Sequence, residues 1–335
     1  MGRKMFILLL ISALSFGTIL SACGNNEDDP TKLRVGEVTR SIFYAPQYVA
    51  LSQGFFEDEG LEVELITTWG GDKTMTTLLA NGIDIALVGS ETSIYVYQQG
   101  SDDPVINFAQ LTQTDGSFLV SRDPLSSFSW NLLKGSTFLG QRKGGMPQMA
   151  GEFALKKHGI DPHNDMELIQ NIEFANIASA FASGTGDFVQ LFEPTATVFE
   201  QEGTGYVIAS FGIESGHLPY TVYMSKESFI KNNKDAVQKY TNAIHKAQKW
   251  VETNSVKQIK DAISPFFEDI DEEIIELVID RYRAQGSYAT DPIVDENEWN
   301  NLLDVMVEAG ELEERASHQI LVDNSFAEKA IKSLE

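Results

Sequence analysis

The chain runs to 335 residues, with 49 Asp or Glu against 25 Lys or Arg, a formal charge of −24, and one cysteine. So acidic a body is a poor partner for nucleic acid, because neutralising phosphate takes clustered Lys and Arg. The single cysteine, Cys23, leaves the folded part without an intramolecular disulfide, a cysteine nucleophile or a cysteine metal cluster, and the roughly 300 residues that follow it exceed one typical core and predict two domains.

Arg3 and Lys4 precede an apolar run over residues 5–20, which closes on Leu20-Ser21-Ala22-Cys23 and gives way to a polar stretch over residues 24–30. A basic start, a short apolar core and small residues before a polar tether form the anatomy of a secretory signal. The core is shorter than the roughly 20 residues of a membrane-spanning helix. Leu20-Ser21-Ala22-Cys23 resembles the lipobox of bacterial lipoproteins. That resemblance implies a signal peptide over residues 1–22, a lipidated Cys23 opening a tether over 23–31, and a mature chain held at the extracytoplasmic face of the cell membrane. Each buried methylene of the acyl chains contributes about 0.8 kcal/mol to that attachment. An ordinary cleaved signal with a chance cysteine is the alternative.

Residues 32–36 alternate as a strand, and residues 44–51 carry apolar spacing for a helix with Pro46 in its first turn. Gly54 ends that helix, residues 62–66 alternate as the next strand, 75–79 are helical, and 82–89 supply a buried strand and a glycine turn. Strand and helix alternate three times, which argues an α/β unit. A second unit begins near Val105. Residues 116–120 read as a strand crossing to another lobe, 138–140 as a segment ending in a turn, 169–174 and 188–192 as strands, and 147–157 and 177–183 as helices. Residues 206–216 lead back, and 218–224 form an extended run that can pair with the first sheet. Beyond Lys226, residues 235–251, 272–283 and 299–308 repeat apolar positions at helical spacing. The expected fold is α/β, two lobes joined by two crossing segments with a helical C-terminal region on the first lobe. Lobe 1 would take residues 32–115 and 219–335, and lobe 2 residues 116–218.

Tyr44-Ala45-Pro46-Gln47-Tyr48-Val49-Ala50, followed by Gly54-Phe55-Phe56-Glu57-Asp58-Glu59-Gly60-Leu61, resembles solute-binding proteins of the NMT1/THI5-like superfamily. Leu79-Ala80-Asn81-Gly82-Ile83-Asp84-Ile85-Ala86 and Phe192-Glu193-Pro194 extend the match. The resemblance implies a two-lobed, periplasmic-binding-protein-like receptor of an ABC importer, working with a permease and a cytoplasmic ATPase. It implies capture of an alkanesulfonate, a nitrate-like anion or a pyrimidine precursor of thiamine, with no catalytic residue and no cofactor, by a chain expected to be monomeric. A superfamily branch that forms pyrimidine enzymatically uses a cysteine-rich segment, which the folded part here lacks. A ligand sensor without transport is the remaining class.

Phe43, Tyr44 and Trp69 fall on loops after strands, where a ring can stack on a flat heterocycle; core filling or inter-lobe packing is the plainer role. Ser90, before Glu91, can cap a helix whose amides face an anion or a carbonyl, or serve as a structural cap alone. Arg142 with Gly144 and Gly145 reads equally as an anion cradle or as a structural turn. Glu193 could accept from the amino group and ring nitrogen of an aminopyrimidine covered by Trp69, or form an inter-lobe salt bridge. Since that carboxylate would repel a sulfonate or nitrate, an aminopyrimidine is the slight preference. His158 and His163 lack a third metal ligand, His245 and His318 fall in patterns that read as solvated helix, and no metal site is expected.

Overall fold

The computed structural model describes residues 30–334, so Cys23 and the signal segment lie outside the described residues. The first stretch of chain forms β1 (Thr31–Glu37), β2 (Leu61–Thr67), β3 (Ile85–Gly89) and β4 (Val105–Thr112). It then crosses over to form β5 (Ser117–Ser121), β6 (Thr137–Leu139), β7 (Glu167–Ile169), β8 (Phe188–Phe192) and β9 (Tyr206–Ser210), and returns as β10 (Thr221–Lys226). Two five-stranded sheets result, in the orders β2-β1-β3-β10-β4 and β7-β6-β8-β5-β9.

In the first sheet β1 lies parallel to both β2 and β3, because a helix carries the chain back after each strand. β10 arrives from the other lobe and runs antiparallel between β3 and β4. The second sheet repeats the plan, with β6 parallel to β7 and β8, and β5 antiparallel to β8 and β9.

The two passages between the sheets bond to each other: Leu218 N–H donates to the Gln113 carbonyl at 3.0 Å and Tyr220 N–H to that of Thr112 at 3.1 Å. Gly116 lies directly under the Phe43 ring, where a Cβ would fall 2.8 Å from ring carbons. Phe43 meets Tyr282 at 5.0 Å, Tyr220 at 5.6 Å and Phe192 of the second lobe at 6.3 Å between ring centroids, so rings from both lobes and from the C-terminal helices converge on the crossing.

The C-terminal helices cover the first sheet. Helix Lys234–Thr253 buries Ala236, Val237, Tyr240, Ile244, Ala247 and Val251, the face its spacing predicts. Tyr240 stacks on Phe56 at 4.9 Å, tying this helix to the start of the chain. None of the described helices is long and apolar enough to cross a membrane.

Three expectations need correcting. The strand expected over 169–174 ends at Ile169, because β6 offers only three residues to pair with, and the side chain of Gln170 donates to Glu152 at 2.8 Å outside the sheet. The helix expected from Met75 begins at Gly71, since Gly70 at φ 146° turns the chain into it. His245 is buried at 2% exposure instead of solvated, on the inner face of its helix.

Phe56→Ala removes a fully buried ring that joins two segments distant in sequence, and is expected to cost about 3–5 kcal/mol. Urea unfolding of the variant and the parent chain measures the difference.

Candidate functional site

The loops after β1, β2 and β3 leave neighbouring parallel strands at their C-terminal ends, where α/β sheets bind ligands. Loops after β6, β7 and β8 face them from the second sheet. Between the two sets lies a cleft of about 380 Å³, a volume that suits a small solute.

Phe43 and Tyr44 both line it and are both buried, in a short turn that Ser41 caps by accepting from Phe43 N–H at 3.2 Å. Phe43 also packs the crossing, so lining and core filling coincide in one ring. Trp69 stands at the rim, 55% exposed, with its backbone at φ 61°. A bulky residue in the left-handed region costs on the order of 1–3 kcal/mol. Gly70 N–H, donating to the Val38 carbonyl at 3.1 Å, holds that turn.

Ser90 does not cap. Its own backbone is already helical at φ −63°, which turns the hydroxyl away from the following amides, and it donates to the Pro219 carbonyl instead. It lies outside the cleft lining and ties the end of β3 to the returning segment. Glu91, next to it, does line the cleft and is 4% exposed. Its Oε1 accepts from Met146 N–H at 3.2 Å across the cleft, while Oε2 has no protein partner. Burial pushes its carboxyl up to about 7, against the backbone N–H groups of Glu91, Met146 and Thr92, which favour the charged form.

Arg142 reaches from the second lobe to Asp72 of the first at 2.8 Å, and pairs with Glu173 at 3.0 and 3.1 Å. Its bond to Asp72 raises the guanidinium further, with both carboxylates adding to the effect. Burial alone would raise Asp72, but the bond and charge of Arg142 prevail and lower it. Lys143 lies 3.6 Å from Glu311, so among the described lining residues each cation faces a carboxylate.

The glycine loop is not an open cradle. Gly144 N–H donates to Gln148 Oε1 at 3.0 Å and Gly145 N–H to the Arg142 carbonyl at 3.4 Å, while Met146 N–H goes to Glu91. Gly144 sits at φ 85° and its carbonyl accepts from Tyr95 at 3.1 Å. Both glycines border the cleft, but their amides are spent on the turn itself.

Glu193 points elsewhere. Its fully buried carboxylate accepts from Arg281 at 2.6 Å, Thr197 N–H at 2.9 Å and the Thr197 hydroxyl at 3.0 Å, outside the cleft lining. Burial raises it, and Arg281 with Thr197 opposes that rise. This is the salt-bridge alternative: Arg281, which also holds Glu200, clasps the segment after β8 to helix Glu272–Gln285. Lining residues that the sequence did not single out include Tyr95, Met146, Glu173, Phe174, Phe192 and Tyr220. Among the described residues no group of three or more His, Cys, Asp or Glu is arranged to hold a metal ion.

Two α/β lobes around a cleft, joined by paired crossing segments, define a protein of the periplasmic-binding-protein fold. Residues 26–264 match the NMT1-like family, and the chain belongs to that family. It is a binding protein and not an enzyme. The Bacillus subtilis (strain 168) protein YtlA, named only as a binding protein, is 61% identical over 310 residues, covering 92% of each chain. Among solved structures, the alkanesulfonate-binding protein SsuA from Xanthomonas axonopodis pv. citri bound to MOPS superposes with a TM-score of 0.70 at 15% identity, over 89% of this chain and 99% of that one. The periplasmic nitrate-binding protein NrtA from Synechocystis PCC 6803 gives 0.73 at 16% identity, over 91% and 89%. At these identities the likeness is one of fold.

Two expectations follow from the charges. Raising ionic strength until the Debye length falls from about 30 to about 3 Å should shift the wild type toward open lobes, while Arg142→Met should be more open at low salt and respond less. Small-angle scattering reads this as a change in radius of gyration; the exposed Asp72–Arg142 pair contributes at most about 1 kcal/mol. The second expectation concerns Glu91. Because its carboxyl rises from 4.5 to about 7 on folding, the folded chain holds a proton that the unfolded chain releases. That stability is present below about pH 4.5 and lost as pH rises through about 7. Glu91→Gln should therefore gain on the wild type by on the order of 3 kcal/mol at about pH 8 and by little at about pH 5, as unfolding curves at the two pH values would record.

Proposed function

We propose that this protein is the extracytoplasmic solute-binding component of an ABC importer. The cleft between two lobes, spanned by two bonded crossing segments, is the observation that carries the reading. Hinged lobes that close on a solute present an altered surface, and a permease with its ATPase can read that surface. A Staphylococcus aureus protein of like fold, named as the ligand-binding component of an ABC-type import system, supports the same reading. The signal-like segment and Cys23 support export and a lipid anchor.

For the solute, the lining of Phe43, Tyr44, Trp69, Phe174, Phe192 and Tyr220 favours a small planar molecule. An aminopyrimidine of the thiamine-precursor kind is the second reading, resting on that aromatic lining, with Glu193 outside the cleft and bound to Arg281. An alkanesulfonate or nitrate is the reading that the relatives of like fold favour, by what SsuA and NrtA are named for binding. It requires Arg142 to leave Asp72 and Glu173 for the anion.

Native mass spectrometry of the mature protein, purified without stripping its solute, should find one small compound bound, and uptake of that compound should fall when the gene is deleted. Trp69→Ala should weaken its binding about tenfold if the indole stacks on it. Intact uptake with lost signalling would favour a sensor; a bound sulfonate released by Arg142→Met would support the anion reading, and a bound pyrimidine the second.

A further inference from the structure

Buried polar side chains run in series from the wall of the cleft into the second lobe. Tyr220 lines the cleft from the returning passage, Asp115 lies on the outgoing one, Ser117 opens β5 and Gln190 belongs to β8. Each is at most 5% exposed. Asp115 Oδ1 accepts from Ser117 N–H at 2.7 Å and from the Ser117 hydroxyl. Gln190 Nε2 donates to the Ser117 hydroxyl at 2.7 Å and to the Pro147 carbonyl at 2.8 Å, in the first turn of helix Met146–Lys157. One link is missing. The Tyr220 hydroxyl stands beside the Asp115 carboxyl, yet neither its oxygen nor Asp115 Oδ2 has a hydrogen-bond partner among the described residues.

Two buried oxygens left open beside each other are costly, and a hydroxyl donating to a carboxylate removes the cost at both. Asp115 is the fixed member of the pair. Its carbonyl accepts from Gln285 Nε2 at 2.6 Å, and a Cβ on Gly212 would fall 2.1 Å from that oxygen, so the outgoing passage is packed in place. Tyr220 is the member that can move. The register of β10 on β4 is irregular between Thr221 and Val222, right beside it, and a short slide there brings the hydroxyl onto Oδ2.

We propose that Asp115 is a positioning residue of the cleft: its charged carboxylate takes the Tyr220 hydroxyl and fixes that ring as a wall of the solute site. Asp115 itself lies outside the cleft lining and acts through Tyr220, whose ring meets Phe43 edge-on at 5.6 Å. The role rests on the receptor reading for its consequence and does not depend on which solute fills the cleft. Burial pushes the Asp115 carboxyl up to about 6, with Ser117 and Tyr220 opposing the rise. The titratable groups around it are Tyr220 on the returning passage and Tyr282 on helix Glu272–Gln285, with Tyr44 and Glu91 facing Tyr220 from the first lobe. Above about pH 6 the carboxylate is charged and holds the hydroxyl by a charge-assisted bond; below it the neutral carboxyl loosens its hold on the ring.

Carbon-13 NMR of the intact mature protein, labelled at the tyrosine carbon that carries the hydroxyl, tests this without any solute, so its failure is separate from that of the receptor reading. Of the 10 tyrosine signals, the one missing from Tyr220→Phe should move with a midpoint at about pH 6. Asp115→Asn should abolish that movement while the other signals keep the dispersion of a folded protein. A Tyr220 signal that stays still in the wild type from about pH 4 to about pH 8 overturns the proposal, whether or not the variants fold. So does a movement that persists in Asp115→Asn; centred at about 7, it would belong to Glu91.

Discussion

The Phe43 ring lying on Gly116 is the contact around which the two lobes are organised. Phe43 follows β1 and Gly116 precedes β5, so the ring of one lobe sits on the strand leaving for the other. Any side chain at residue 116 would push them apart. Tyr282 bonds the Gly116 carbonyl at 3.0 Å and packs on the same ring, which brings a C-terminal helix to the crossing. Backbone bonds between the two passages make them a short ladder. A ladder of that kind can bend without losing its bonds, whereas the sheets on either side are too well packed to deform, so relative motion concentrates at the crossing.

Away from this pivot, the lobes meet through charge. Arg142 is drawn to Asp72 across the cleft mouth and to Glu173 within its own lobe. Lys143 faces Glu311. These pairs are partly exposed, so each contributes little, and salt weakens them. Their larger consequence is for the solute, since a cation already held by two carboxylates is a weaker receptor for an anion than its bare sequence position indicates. Glu193 illustrates the same point with the sign reversed. It is an acid beside a binding cleft, but its charge is answered by Arg281 on the far side of the segment.

What could be read in the sequence was periodic and local. β1 shows as an alternation, helix Lys234–Thr253 as a one-sided apolar pattern, and the return of β10 as an extended run after the second lobe. What could not be read depended on partners. β7 stops where β6 runs out of residues, a limit set by another strand. Ser90 looks like a cap in sequence, yet capping requires an extended backbone and its own is helical. Phe43, Tyr44 and Trp69 read as loop residues after strands and Glu91 as the start of a helix, and all four border the cleft. Glu193 and Arg142 were picked out by residue type, and their partners lie 88 and 31 residues away or in the other lobe.

Local rules are broken where the cleft is. Trp69 keeps a large apolar surface in water on a backbone that disfavours it, and Glu91 holds a carboxylate in an apolar wall with one oxygen unanswered. Neither feature stabilises the free protein, and the rest of the fold has to offset both. A sequence can tolerate such costs when a bound molecule removes them. A ring stacked on the indole would cover it. A solute held between the lobes would touch groups of both, so the free energy of recognition acts directly on the equilibrium between open and closed lobes.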